Sequence, residues 1–168
     1  MIEFRPAKLT DDLEALQRLD AIIFADYPGD LFSQEDWLLF DSYWMLDNGR
    51  VVGCAAFLAN LDFDFSPRPG CIHIMTTGVL PELRGRGLGR KQKEWQIEYA
   101  RSRGFELIVT NMRQSNLRMI HLNESLGFRF RQIAPGYYLD PPEDAVVMEL
   151  RLVPGGAAKG LDNSSIIS

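Results

Sequence analysis

A glycine-rich turn between a buried strand and an amphipathic helix constrains this chain more than any other feature of its sequence. The apolar, β-branched run 72–80 is typical of a buried strand and ends at Pro81. Apolar residues then recur at helical spacing from Leu88 until Gly104, a residue suited to end a helix. The glycines of residues 84–91 therefore precede a helix N-terminus, where backbone N–H groups can approach an anion closely.

Positive charge is concentrated at this turn, although the net charge of the chain is -5. Five cations fall within ten positions without an intervening acid: Arg84, Arg86, Arg90, Lys91 and Lys93. This local reversal of sign predicts a phosphate-rich ligand. An acidic chain with one basic cluster argues against general nucleic-acid binding.

The spacing of the glycines distinguishes between phosphate-binding motifs. A dinucleotide site requires a third glycine at the position of Arg90, and the Gly-Lys-Ser/Thr of a nucleotide-triphosphate loop is absent. The stretch resembles instead the acyl-CoA-binding motif of the GCN5-related N-acetyltransferase superfamily, Val-x-Pro followed by Arg-x-x-Gly-x-Gly. That motif stands here as Val79-Leu80-Pro81 and Arg84-Gly85-Arg86-Gly87-Leu88-Gly89.

The resemblance implies an α/β fold with a twisted, mixed seven-stranded sheet and helices on both faces. Its fourth and fifth strands should splay apart and admit the pantetheine arm of acetyl-CoA. We expect one acetyltransferase domain over residues 1–153 and a flexible tail, rich in Gly, Ala and Ser, over residues 154–168. The implied acetyl-CoA contacts are Thr77, Gly78, Val79, Arg84, Gly85, Arg86, Gly87, Leu88, Gly89, Arg90 and Asn116.

A second stretch, from Asn116 to Leu126-Gly127-Phe128, resembles a later motif of the superfamily. There Asn116 is implied to hydrogen-bond along the pantetheine arm. The position of Asn123 commonly holds a Tyr that protonates the departing thiolate, whereas an amide can only hydrogen-bond to the sulfur. Because a thiol has a pKa of ~8.5, coenzyme A can leave as a thiolate near neutral pH at small cost.

Transfer of an acyl group from a thioester to an amine needs a stabilised oxyanion and an unprotonated amine. We expect a backbone N–H of the buried strand, at Val79, to stabilise the oxyanion. His73 is the candidate base, because strand alternation places it on one face with Met75, Thr77 and Val79, and an ordinary histidine pKa of ~6.5 suits the role. The alternative is a core or rim histidine bonded to backbone. Asn111 cannot be a base but can hold a water molecule or the substrate amine.

Three stretches, residues 23–27, 73–78 and 136–148, resemble the branch of protein N-terminal acetyltransferases. In that branch the first and last stretches grip a peptide, which implies substrate-binding roles for Tyr27, Tyr137 and Tyr138; alternatively, Tyr137 and Tyr138 are only rim aromatics. Deprotonation at pH 7 costs about 1 kcal/mol for an α-amine and about 4.6 kcal/mol for a lysine, which favours an N-terminal acceptor. Two alternatives stay open: a small-amine acetyltransferase, and a CoA-binding regulatory module, which Asn123 favours.

Local signals predict several connections. Asp47-Asn48-Gly49 between two strand-like runs predicts a hairpin, and Ser33 and Asp36 have capping-box spacing before a second helix. Residues 61–70 and 134–144, which contain prolines, are predicted loops.

Neither a signal peptide nor a transmembrane run is present in the sequence, and Cys54 and Cys71 lack the spacing of metal ligands. We therefore expect a cytoplasmic monomer or homodimer without metal, membrane or nucleic-acid partners. Its expected partners are acetyl-CoA and an amine acceptor.

Overall fold

The computed structural model describes residues 1–152, apart from the side chain of Leu9; the predicted tail at 154–168 lies outside the described residues. Its strands are β1 (Ile2–Pro6), β2 (Asp41–Asp47), β3 (Arg50–Leu61), β4 (Pro67–Val79), β5 (Leu107–Arg113), β6 (Arg129–Leu139) and β7 (Pro142–Arg151). Its helices are α1 (Leu9–Ile23), α2 (Gln34–Leu39), α3 (Leu88–Ser102) and α4 (Leu117–Ser125), with short 3₁₀ turns at Pro28–Asp30 and Pro81–Leu83.

The strands form one mixed sheet in the order β1-β2-β3-β4-β5-β7-β6. The β4–β5 pair, joined by α3, is parallel, and the other pairs are antiparallel. Leu16 of α1 and Trp37 of α2 pack with Cys54 on one face of the sheet. Ile97 of α3 packs with Ile74 on the other face. The predicted fold, a seven-stranded sheet with helices on both faces, is confirmed.

Two local predictions are also confirmed. Asn48 and Gly49 have φ values of 50° and 81°, and they join β2 to β3 as the two-residue turn that such a pair favours. Ser33 and Asp36 form the capping box at the start of α2, with N–H···O distances of 3.1 and 2.9 Å. Both features arise from residues close together in sequence.

The two predicted loops are largely strand. β3 continues to Leu61 and β4 begins at Pro67, so the first loop contains only residues 62–66. The buried carboxylate of Asp62 accepts hydrogen bonds from Arg68 at 2.8 Å and from Arg131 at 2.7 Å, and these ion pairs tie β4 and β6 to the end of β3. The sequence does not reveal such distant partners.

The second predicted loop, residues 134–144, is the end of a long hairpin. β6 runs through Tyr137 and Tyr138, and only a short turn separates it from β7. The pairing of β6 with β7 is irregular after Ala134 and resumes at Tyr138 opposite Glu143. Pro141 and Pro142 lie at this turn, and Pro135 lies in the irregular stretch of β6, so no missing N–H interrupts a regular ladder.

An extra residue in β4 reverses the predicted alternation of its side chains. Ile74 pairs with Phe57 of β3, but Thr76 pairs with the adjacent Ala56. Met75 therefore has no partner of its own, as in a β-bulge. Side chains before and after this point have opposite phases.

The bulge places His73 and the end of β4 on different faces. The hydroxyl of Thr77 donates to Gln96 of α3, and Val79 packs near the start of the same helix. His73 lies on the opposite face, the one covered by α1, where it contacts Asn111. The prediction that His73 shares a face with Thr77 and Val79 is therefore wrong.

β4 and β5 pair only over residues 71–74 and 107–110. Beyond this short register the two strands separate, which confirms the predicted splay. There the side-chain amides of the buried Gln92 and Gln96 donate to the carbonyls of Gly78 at 3.3 Å and Thr76 at 3.1 Å. Side chains of α3 thus hydrogen-bond to the backbone of β4 where β5 no longer pairs with it.

Gly53 marks a close approach between β3 and β4. A Cβ at this position would lie 2.1 Å from the carbonyl oxygen of Gly78. We expect Gly53→Ala to lower the free energy of unfolding by about 2 kcal/mol or more, because the two strands must move apart. Urea unfolding measures the change.

Gly89→Ala is the matched control for stability. Nothing lies within 4 Å of a Cβ added to this glycine, and alanine favours a helix over glycine. Its free energy of unfolding should not fall. An unchanged midpoint for Gly53→Ala would contradict the observed strand spacing.

Candidate active site

A cavity of about 400 Å³ lies where β4 and β5 separate, and residues from both faces of the sheet line it. On the α1 face its walls include Tyr27, Phe32, Phe65, Tyr137 and Tyr138. On the α3 face they include Lys93, Asn116 and Met119. The cavity therefore crosses the sheet through the gap between the strands.

The glycine-rich turn lies open at the start of α3. Gly85 and Gly87 have φ values of 81° and 80°, which side chains rarely allow, and Gly87 is the N-cap of the helix. Nothing lies within 4 Å of a Cβ placed on Gly85, Gly87 or Gly89. The first helical hydrogen bond comes from the N–H of Lys91 to Gly87, so the preceding N–H groups can bind an anion. The turn can therefore hold a phosphate group.

The cations of this region divide into two groups. Arg84 donates to the carbonyl of Ile23 at 2.8 Å, and Arg90 donates to the hydroxyl of Ser125 at 2.6 Å. Both side chains border the exposed turn. Lys93 is only 1% exposed and faces the cavity, so it does not belong to the predicted phosphate-binding cluster.

The structure brings together three predicted site residues that are far apart in sequence. Nε2 of His73 lies 2.9 Å from Oδ1 of Asn111, whose amide donates to the hydroxyl of Tyr138 at 3.0 Å. Both ends of the Asn111 side chain are therefore engaged in orienting the two rings. This arrangement differs from the predicted contact with water or substrate.

His73 is neutral near pH 7. Burial lowers its pKa below the ordinary histidine value, and only 1% of the residue is exposed. When Nε2 donates to Asn111, the basic nitrogen is Nδ1, which has no hydrogen-bond partner among residues 1–152. Burial also raises the pKa of Tyr138, so its hydroxyl keeps its proton.

Arg113 is a buried residue of the site that the sequence did not reveal. Its guanidinium donates to both carboxylate oxygens of Asp30, at 2.8 and 3.0 Å, and to the carbonyl of Pro141 at 2.8 Å. The group lies 4.7 Å from the ring centroid of Tyr27 and 4.6 Å from that of Tyr138. The only available signal was a cation at the end of an apolar strand.

Arg113 joins two segments, residues 27–30 and 137–141, which we call the tyrosine rim. The segments also touch directly, since Gly29 donates its N–H to the carbonyl of Asp140 at 3.0 Å. A Cβ on Gly29 would lie 2.8 Å from Asp140, so no side chain fits between them. The rim therefore borders the cavity as one unit on the α1 face.

Asn123 does not line the cavity. Its side chain is fully buried, and its amide lies 3.6 Å from the sulfur of Met112 and 3.9 Å from that of Met148. This arrangement does not supply the predicted hydrogen bond to a CoA sulfur. Asn116 does line the cavity, and its Oδ1 caps α4 by accepting from the N–H of Met119 at 3.2 Å.

Within residues 1–152, no three His, Cys, Asp or Glu side chains are grouped to hold a metal ion. No helix in the same part of the chain is long and apolar enough to span a membrane. Cys54 and Cys71 are buried free thiols.

The glycine turn before α3, the splayed strands and the cavity through the sheet together define an acyl-CoA-dependent transferase site. Residues 10–128 match the model of the Acetyltransferase (GNAT) family, and the chain belongs to this family.

Among its relatives, the [ribosomal protein bS18]-alanine N-acetyltransferase of Escherichia coli is 37% identical over 79 residues, 46% of this chain and 53% of that protein. The L-amino acid N-acyltransferase of Escherichia coli is 36% identical over 84 residues, 49% of this chain and 46% of that protein. The chain thus spans about half the length of these curated relatives.

The solved structure of the ribosomal-protein-S18-alanine N-acetyltransferase from Escherichia coli has the same fold. It superposes with a TM-score of 0.75 at 24% identity, and the match covers 97% of this chain and 100% of that one.

Substitution of Gly89 tests the anion site without backbone strain. We expect Gly89→Glu to weaken acetyl-CoA binding by about 100-fold or more, because its carboxylate would occupy the space for a phosphate. Gly89→Ala should bind within a few-fold of the parent, since nothing lies within 4 Å of the added Cβ. Calorimetry measures both affinities. An unchanged acetyl-CoA affinity in a folded Gly89→Glu protein would show that acetyl-CoA does not bind at this turn.

Proposed function

We propose that this protein is an acetyl-CoA-dependent N-acetyltransferase that acts on the α-amine of a protein or peptide N-terminus. The amine attacks the thioester directly in a ternary complex. The cavity through the sheet carries this proposal, because the glycine turn and α3 lie on one face and the tyrosine rim lies on the other. Donor and acceptor can meet in the gap from opposite sides.

On the donor side, the N–H groups of the glycine turn hold the pyrophosphate of acetyl-CoA. Its pantetheine arm lies beside β4, beyond Ile74, where β5 no longer pairs. Asn116 lines the cavity there and can hydrogen-bond to the arm. A backbone N–H in this unpaired stretch, with Val79 as the sequence-based candidate, binds the thioester oxygen as it becomes negative.

On the acceptor side, His73 is the proposed base. It lies on the same face as the tyrosine rim and lines the cavity. Its lowered pKa keeps the ring neutral, so it can accept a proton directly or through one water molecule. Asn111 and Tyr138 are positioning residues, because their hydrogen bonds fix the orientation of the His73 ring relative to the tyrosine rim.

Charge near the rim favours an ammonium over a carboxylate. Asp30 and Asp36 line the cavity on this side. The one cation among residues 1–152 that lines it there, Arg113, already pairs with Asp30 and with Glu143 at 3.2 Å. A peptide presents an amine without a nearby carboxylate, so it suits this surface better than a free amino acid. One relative is named a [ribosomal protein bS18]-alanine N-acetyltransferase, and a protein acceptor of that kind supports the same class of acceptor.

The rate at which free thiol is released from acetyl-CoA can be measured with acceptors of different charge and basicity. The acceptors are a short peptide amide with N-terminal alanine, the same peptide with a blocked N-terminus and an internal lysine, and free alanine. The free α-amine should react at least about 10-fold faster than the lysine, because it loses its proton more easily. Free alanine should also react more slowly than the peptide.

The uncatalysed reaction is the control for each acceptor. If the lysine peptide or free alanine reacts faster than the peptide with a free α-amine, the proposed acceptor class is wrong. Thiol release that no amine accelerates would instead indicate the regulatory module.

Substitution of His73 tests the proposed base. His73→Ala should lower kcat by about 100-fold while acetyl-CoA affinity stays the same. The lowered pKa of His73 also fixes the sign of the pH effect: the parent rate should fall only as pH drops below the ordinary histidine value, when the ring gains a proton. That acidic limb should vanish in the variant. A variant that keeps its rate and its limb would exclude His73.

A further inference from the structure

The function proposed above gives no role to Lys93. It lies on α3, is 1% exposed and lines the α3 side of the cavity. Its ammonium is 5.0 Å from the ring centroid of Phe128. Among residues 1–152 it has neither an ion pair nor a hydrogen bond. A buried ammonium without a carboxylate is costly, and such groups concentrate where chemistry uses them.

We propose that Lys93 is the catalytic acid that protonates the sulfur of departing coenzyme A, an inference that rests on the proposed function. The amine nitrogen forms a bond to the thioester carbon, and the C–S bond breaks with its electron pair going to sulfur. A proton moves from Nζ of Lys93 to that sulfur. The products on this side are the CoA thiol and a neutral lysine, which regains its proton from water.

The arrangement of the cavity singles out Lys93 for this step. Asn123 is buried, does not line the cavity and has no acidic proton. His73, Arg113 and Tyr138 line it from the face of the rim, on the acceptor side. The α4 residues that reach it carry amide or thioether groups, which do not donate protons to a thiolate.

The acidity of Lys93 suits the task. Burial lowers the pKa of Lys93 to about 7. A thiol has an ordinary pKa of ~8.5, so proton transfer from this ammonium to a thiolate is favourable. An unburied lysine, with a pKa of ~10.4, would be a much weaker acid.

Other charged or titratable groups share the cavity with Lys93. They are Tyr27, Asp30, Asp36, His73, Arg113, Tyr137 and Tyr138. All of them come from β4, β5, β6 or the segments that follow α1. None contributes to the pKa shift of Lys93, whose cause is burial alone.

The thiol of bound coenzyme A reports on Lys93 without any acceptor. Ultraviolet absorbance follows thiolate formation with pH, as a difference from the same protein without CoA. Because Lys93 loses its proton near pH 7, the thiol should titrate at the same pH in the parent and in Lys93→Met. A thiolate that appears about one pH unit or more lower in the parent would show that Lys93 keeps its proton beside the sulfur, which would contradict proton donation. Lys8→Met, which changes an exposed lysine that does not line the cavity, should titrate like the parent.

Two variants separate proton donation from charge. Lys93→Met should bind acetyl-CoA within about twofold of the parent, because the thioester is uncharged, yet its kcat should fall by about 100-fold. The decline of the parent rate above pH ~7, where Lys93 loses its proton, should disappear with it. Lys93→Arg keeps a charge but donates no proton near neutrality, so its kcat should stay low. Methionine suits the apolar site, so folding should survive.

Several results would overturn the inference. A Lys93→Met enzyme that keeps the kcat of the parent and its decline above pH ~7 would exclude Lys93 and leave the proposed function standing. Full activity of Lys93→Arg would show that Lys93 contributes only a positive charge and not a proton. Acetyl-Lys93 accumulating in the mass spectrum after incubation with acetyl-CoA would make the residue a nucleophile. A parent protein that binds CoA but acetylates no amine would overturn both proposals.

Discussion

The separation of β4 and β5 is the constraint on which the rest of the site depends. Two parallel strands with an apolar register would ordinarily continue to pair, but here pairing stops at Ile74 and Thr110. Beyond that point the backbone of β4 needs other partners, because unpaired buried polar groups are costly. Gln92 and Gln96 of α3 donate to two carbonyls of this stretch, although the carbonyl of Gly78 points toward β3 and not into the gap. Side chains of α3 therefore anchor β4 beside the gap.

Several buried polar atoms among residues 1–152 make no hydrogen bond, and two of them line the cavity at this gap. Nδ1 of His73, Oγ1 of Thr76 and Oδ1 of Asn123 are buried and make no hydrogen bond within the described part of the chain. Each such atom costs stability, since water could have satisfied it in the unfolded chain. Other such atoms, in Asp20 and Trp37, do not line the cavity, whereas two arginines satisfy the carboxylate of Asp62. Native proteins accept this cost chiefly where function requires it.

Short-range features were readable from the sequence, and long-range ones were not. The Asn48-Gly49 turn and the Ser33 cap depend on neighbouring residues, so their chemistry is visible in the chain itself. The bulge at Met75 depends on how β4 fits β3, and strict alternation therefore gave the wrong face for Thr77 and Val79. The contact between Arg113 and Asp30 spans 83 positions and has no local signal.

Lys93 shows the same limit for charge. Because Lys93 lies two residues after Lys91 in a basic stretch, the sequence predicts that it binds phosphate at the exposed turn. The rotation of the helix instead places its side chain on the buried side of α3. His73, Asn111 and Tyr138 were identified individually, but the hydrogen bonds that connect them required the folded sheet.

The direct contact between the two halves of the tyrosine rim has an evolutionary consequence. The rim consists of residues 27–30 and 137–141, while the glycine turn occupies residues 84–91, so the two surfaces share no residue. Under the proposed function, mutations in the rim can therefore change the acceptor while the donor surface stays the same. Such changes must come in pairs, because Gly29 against Asp140 and Arg113 against Asp30 fix one segment to the other. Acceptor preference in this scaffold should consequently evolve by covariation between two distant segments.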